Sequence, residues 1–118
     1  WRGLYSGVIL ATLKKYTVKT DQLTAWIGPS ICQKCYQVSH DFKQQFCEQA
    51  SPAHAYFTTV GDATYFDCPG FALHQLRSCG LNTIHRINAC TSCTPELPSY
   101  RREQGRIRTR ILSLIWKS

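Results

Sequence analysis

Segments with strand character alternate with segments of helical spacing along this chain, and that alternation restricts its fold more than any other feature. "LTAWIG", Leu23 to Gly28, is short, apolar and stopped by Gly28-Pro29, which predicts a buried strand. "AYFTTV", Ala55 to Val60, carries β-branched and aromatic residues up to Gly61-Asp62 and predicts a second. "NTIHRIN", Asn82 to Asn88, predicts a third.

Helices separate these strands. Leu4, Val8, Ile9, Thr12, Leu13 and Tyr16 recur near a 3.6-residue period, with Lys14 and Lys15 in the last turn, where cations suit the helix dipole. Ser39 is placed to cap a second helix running to about Gln49, with Asp41 in its first turn and Val38, Phe42 and Phe46 on one face; Ser51-Pro52 ends it. Pro69 suits the first turn of a third, whose stripe is Ala72, Leu73 and Leu76 and whose stop is Gly80. At the end of the chain "RIRTRILSLIW" sets Ile107, Thr109 and Ile111 opposite Arg106, Arg108 and Arg110, which predicts a last, central strand. The expectation is an α/β or α+β domain in which a mixed, mostly buried sheet is layered with about three helices.

With 118 residues, 43% of them hydrophobic, the chain suits one small domain or half of a larger one. No apolar run reaches the roughly 18 residues of a membrane span, so a soluble protein without a membrane partner is expected. The net charge of +7 is concentrated between Tyr100 and Ser118, where five arginines and Lys117 face Glu103 alone, a local +5. Such an edge either binds anions, as phosphate of a small ligand or of nucleic acid, or is simply solvated.

Seven cysteines, an odd number dispersed through ordinary globular sequence, argue for a reducing compartment, hence the cytoplasm. Four of them form two CxxC units, Cys32 with Cys35 and Cys90 with Cys93. Two such knuckles are a usual way to hold zinc, but 54 residues separate them here, against roughly 15 to 20 in a compact ribbon. A site built from all four needs distant loops to meet, and buried thiols are the favoured reading. A thioredoxin-type pair is disfavoured because Gly28-Pro29-Ser30 intervenes between the strand and the first CxxC. His40, His54, His74 and His85 have no ligand spacing, and no glycine-rich phosphate loop is present.

Seven pieces in a fixed order carry a further signal: "WRGL", "AWIGPSI" with "CYQV", Asp67 before a helix, "CGLNTI", "ACT", "SYRR" and "RILSLIW". In that order the chain resembles the C-terminal half of the YfiH-type family, also called the laccase-domain or polyphenol oxidoreductase family. The resemblance covers residues 1–118 and makes them one portion of a single domain. In that family "WRG" belongs to "HAGWRG", so the histidine, together with a "TADC" cysteine and another histidine, would lie ahead of Trp1.

The resemblance implies a cytoplasmic enzyme with zinc, or copper, bound by those upstream residues. It implies phosphorolysis of purine nucleosides such as adenosine, inosine and methylthioadenosine, or adenosine deamination; phenol oxidation and an editing role in cell-wall precursor synthesis are also attached to the family. The implied partners are a purine nucleoside, phosphate, the N-terminal half of the same domain and, as a further candidate, a second copy of the chain; nucleic acid is not expected. By the same resemblance Arg2, Tyr100, Arg101 and Arg102 face the reaction cavity, Arg2 and Arg101 foremost as anion donors, and the Gly28-Pro29 loop forms a substrate-binding wall. Arg110 is set aside, because Thr109 stands where the family usually has glycine and the loop after "YRR" is longer. Cys35 and Cys90 match common family cysteines, whereas Cys32 stands where glycine is frequent. The fragment alone is expected to be inactive. The rival reading from the residues is a basic nucleic-acid-binding or interaction module stabilised by zinc on the two CxxC units.

Overall fold

A computed structural model describes residues 1–17, 19–50, 52–106 and 108–114. Among these residues four α-helices and five strands run in the order α1 (Arg2–Tyr5), α2 (Val8–Leu13), β1 (Thr24–Ile27), β2 (Gln37–Val38), α3 (His40–Gln49), β3 (Phe57–Val60), β4 (Ala63–Phe66), α4 (Cys68–Ser78) and β5 (Thr83–Arg86). The fold is mixed α/β, as the alternation predicts. Strands β2, β4 and β3 form an antiparallel sheet in that spatial order, while β1 and β5 pair in parallel with Thr24 opposite Thr83 and Ile27 opposite Arg86.

The antiparallel sheet and helices α3 and α4 enclose the core, which is aromatic. Phe46, Ala50, Ala53, Phe66 and Phe71 are buried together, with Phe42, Tyr36 and Phe57 packed against them. Ring centroids lie 4.7 Å apart for Phe46 and Phe66, 4.7 Å for Phe57 and Phe66, and 5.1 Å for Phe46 and Phe71, within the range of favourable ring contacts. Capping fixes both helices. The Ser39 hydroxyl accepts from the Phe42 N–H at 3.1 Å, and the Asp67 carboxylate accepts from the Gly70 N–H at 3.0 Å.

Three expectations are corrected. The first helix is not continuous: Gly7, at φ 74°, ends α1 and begins α2, a left-handed conformation that glycine adopts without steric cost. The strand predicted from Ala55 begins at Phe57, because Ala53–Tyr56 coil into a short 3₁₀ turn, and its partner β4 joins it across the two-residue Gly61-Asp62 hairpin. The closing central strand does not form among the described residues: 106 and 108–114 are irregular, and Leu112 and Leu114 stay 80% and 72% exposed. Among the described residues β1 and β5 pair only with each other, and this segment adds no third strand to them. Ile107, Ile115 and Trp116 of that prediction, and Ser51 of the helix stop, lie outside the described residues.

Candidate functional site

Parallel pairing places the C-terminal ends of β1 and β5 side by side, so the loops that leave them run together. The pairing continues past the strands: Ser30 bridges Cys90, with the Ser30 N–H donating to Ala89 O at 3.2 Å and the Thr91 N–H to Ser30 O at 3.2 Å. Each loop then turns through a CxxC. The Cys35 N–H donates to Cys32 O at 3.0 Å in one, and the Thr94 N–H to Cys90 O at 2.9 Å in the other. The sulfurs of Cys32, Cys35, Cys90 and Cys93 thereby converge to within 4.8 Å of one another.

The electrostatics of the cluster are shared. Burial raises the Cys90 thiol, but the backbone N–H groups of Cys32 and Cys93 and the neighbouring thiols outweigh it and bring Cys90 down to about 6. Hydrogen bonds with Cys35 and Cys90 push Cys93 up to about 12, and burial raises Cys32. Within this coupled group Cys90 is drawn down and Cys32 and Cys93 are pushed up. The expected buried thiols are found elsewhere: half-buried Cys47 and Cys68 pack against the aromatic core, and burial raises both. The four CxxC cysteines correct that reading, because the β1–β5 register closes the 54-residue gap that spacing alone leaves open.

Arg102 holds the second CxxC loop in shape. Its guanidinium donates to the carbonyls of Thr91 (2.7 Å), Ser92 (3.4 Å), Thr94 (3.1 Å), Pro95 (3.3 Å) and Leu97 (2.7 Å), and its Nε pairs with Glu103 at 3.1 Å. Arg101 turns the other way. It donates to Gln37 O at 2.8 Å, lies 5.3 Å over the Tyr36 ring, and lines a cavity of about 410 Å3 with Trp1, Val38, Ser39 and Phe42. Burial raises the Tyr36 phenol, and Arg101 works against that rise. Arg2 does not line this cavity; its guanidinium lies 5.5 Å from the indole centroid of Trp1, which does.

The remaining expected residues lie elsewhere. Gly28 and Pro29 line a cavity of about 720 Å3 with Trp26, Ile87, Leu112 and Leu114, where the Trp26 ring stacks on His85 at 4.3 Å. Tyr100, 69% exposed, lines a separate cleft with Pro98, Thr109, Arg110 and Ile111. Arg101 thus lines the cavity and Arg2 lies only beside its Trp1 wall, whereas Arg102, Tyr100 and the Gly28-Pro29 loop each serve another place.

The metal centre that the family resemblance implies needs two histidines and a cysteine with an open position. Among the described residues the four cysteines are the one group of His, Cys, Asp or Glu able to hold a metal, and no histidine belongs to it. Four thiolates fill a tetrahedron and leave no place for substrate. The residues here do not form the implied centre, and no step of a reaction is routed through it. Nor is any helix, among the described residues, long and apolar enough to cross a membrane.

Residues 1–118 match the family described as multi-copper polyphenol oxidoreductase laccase. A purine nucleoside phosphorylase of Aquifex aeolicus is 37% identical over 109 residues, which are 92% of this chain and 50% of that protein. The Shigella flexneri purine nucleoside phosphorylase YfiH is 31% identical over 117 residues, 98% of this chain and 47% of its own length. The chain therefore spans about half the length of these curated relatives. A crystal structure of a Neisseria meningitidis protein superposes with a TM-score of 0.80 at 28% identity, over 89% of this chain and 44% of that one. The hypothetical protein YfiH of Bacillus licheniformis shares the fold, with a TM-score of 0.73 at 21% identity over 88% of this chain and 41% of that one.

Proposed function

The chain belongs to the multi-copper polyphenol oxidoreductase laccase family, and from that premise we propose that it is the C-terminal portion of a purine nucleoside phosphorylase. In this reading the His/Cys/His metal ligands are supplied by residues ahead of Trp1, and zinc is the metal. The seven free thiols support a cytoplasmic setting.

One observation carries the assignment of roles. Arg101 is anchored by its bond to Gln37 O and its seat on Tyr36, and its other N–H donors take no further acceptor among the described residues. A guanidinium held in this way on a cavity wall presents a fixed fork to a phosphate. Arg101 binds the phosphate co-substrate, Arg2 adds positive charge through the Trp1 side, and Trp1 and Phe42 supply aromatic faces for the nucleoside. The Gly28-Pro29 loop walls the second cavity. Arg102 and Tyr100 support the loops behind these groups.

The test is phosphate-dependent release of adenine from adenosine by the protein expressed with whatever its gene encodes ahead of Trp1. Arg101→Ala should raise the KM for phosphate about tenfold or more, the loss of a charge-assisted bond. An unchanged KM for phosphate in a folded variant overturns the role of Arg101. Ammonia release from adenosine without phosphate, in the same preparation, assigns deamination instead.

A further inference from the structure

We propose that Cys32, Cys35, Cys90 and Cys93 bind a structural zinc ion, a centre separate from the metal of the reaction. The inference rests on the convergence of the four sulfurs and is independent of the function proposed above. Zinc held by four thiolates at about 2.3 Å sets its sulfurs about 3.8 Å apart on every edge of the tetrahedron. Here all four lie within 4.8 Å, with Cys35 and Cys93 at 3.3 Å, so small side-chain rotations complete the shell.

The surroundings suit an ion as well as the ligands do. The Cys32 N–H donates to the Cys90 sulfur at 3.2 Å, the kind of outer contact that orients a thiolate ligand and offsets its charge. Cys35 closes its turn on Cys32, and the second CxxC turn is fixed by the five carbonyls bonded to Arg102. Arg102 and Arg86, which lines the cavity beside Cys32 and Cys90, stand near a complex that would carry two negative charges. On binding, the thiols pass their protons to solvent and four Zn–S bonds form, with no change of oxidation state.

The centre also serves the fold. It joins the loops after β1 and β5, and among the described residues Leu81 is the one buried apolar residue outside the main aromatic cluster. A tetrahedral set of four sulfurs selects zinc or iron over hard cations. Cysteines paired as a disulfide would use two of the sulfurs and give the other two no reason to converge.

Elemental analysis of the full protein, purified without added metal under reducing conditions, tests this. Cys32→Ser and Cys93→Ser should each lower the zinc content by roughly one equivalent per chain relative to the parent. If either variant fails to fold, the parent decides the matter: Co2+ exchanged into it should give the intense thiolate-to-metal charge-transfer absorption of a four-sulfur site. Unchanged zinc in the folded variants, or a Co2+ spectrum without thiolate bands, overturns the proposal. So does iron in place of zinc, or mass spectrometry showing Cys35 bonded to Cys93. Because adenine release is scored separately, an active enzyme without this zinc rejects the centre alone, and an inactive one with it rejects only the function.

Discussion

The two sheets of this molecule are stabilised by different means. Around β2, β4 and β3, buried phenylalanines pack ring against ring beneath α3 and α4. Around β1 and β5 there is no comparable core among the described residues. Trp26, Leu112 and Leu114 are 59%, 80% and 72% exposed, and the loops beyond are organised by arginine and converging sulfurs. Parallel strands are normally covered on both faces, so the contrast marks the β1–β5 side as the more open of the two. Apolar packing makes one half self-sufficient, while directional donors shape the other.

Substitutions can break this contrast. Phe66, fully buried among Phe46, Phe57 and Phe71, should cost about 3–5 kcal/mol as Phe66→Ala in urea unfolding; a cost below about 1 kcal/mol would remove the aromatic half's claim to self-sufficiency. Arg102→Ala should cost roughly 2 kcal/mol and speed amide exchange at residues 91–97, because several carbonyls lose a charged donor. Arg102→Lys should recover little, since an ammonium lacks the planar fork. The smallest effect belongs to Leu112→Glu, expected within about 0.5 kcal/mol in this chain. A larger loss would show that the wall of the Trp26 cavity is already covered.

Local signals were the legible ones. Ser39 and Asp67 predict the starts of α3 and α4, and both side chains cap as expected. Strand β4 escaped notice although Gly61-Asp62 between Val60 and Ala63 is a two-residue hairpin signal, because "ATYF" is brief and reads as the approach to a helix. The arginine alternation before Ile111 has strand period, yet among the described residues that segment joins no sheet, since period alone does not make a pairing. Least legible was the meeting of the two CxxC units. Its cause is the register Thr24 to Thr83, a pairing set by the whole intervening fold. The same holds for Arg102: "SYRR" announces cations, and only the structure tells which one points into a carbonyl cage and which onto Tyr36.

The parallel register has a consequence for how the molecule assembles. The β3–β4 hairpin closes across two residues, whereas Thr24 reaches Thr83 only after everything between them has been drawn into a ring of chain. Ring closure over such a span surrenders more chain entropy than a hairpin does, and it is repaid only if the enclosed segment is already compact. The buried phenylalanines all sit within that ring, so their collapse shortens the search, and a bond between the two sulfur-bearing loops would act as the clasp that keeps the ring shut.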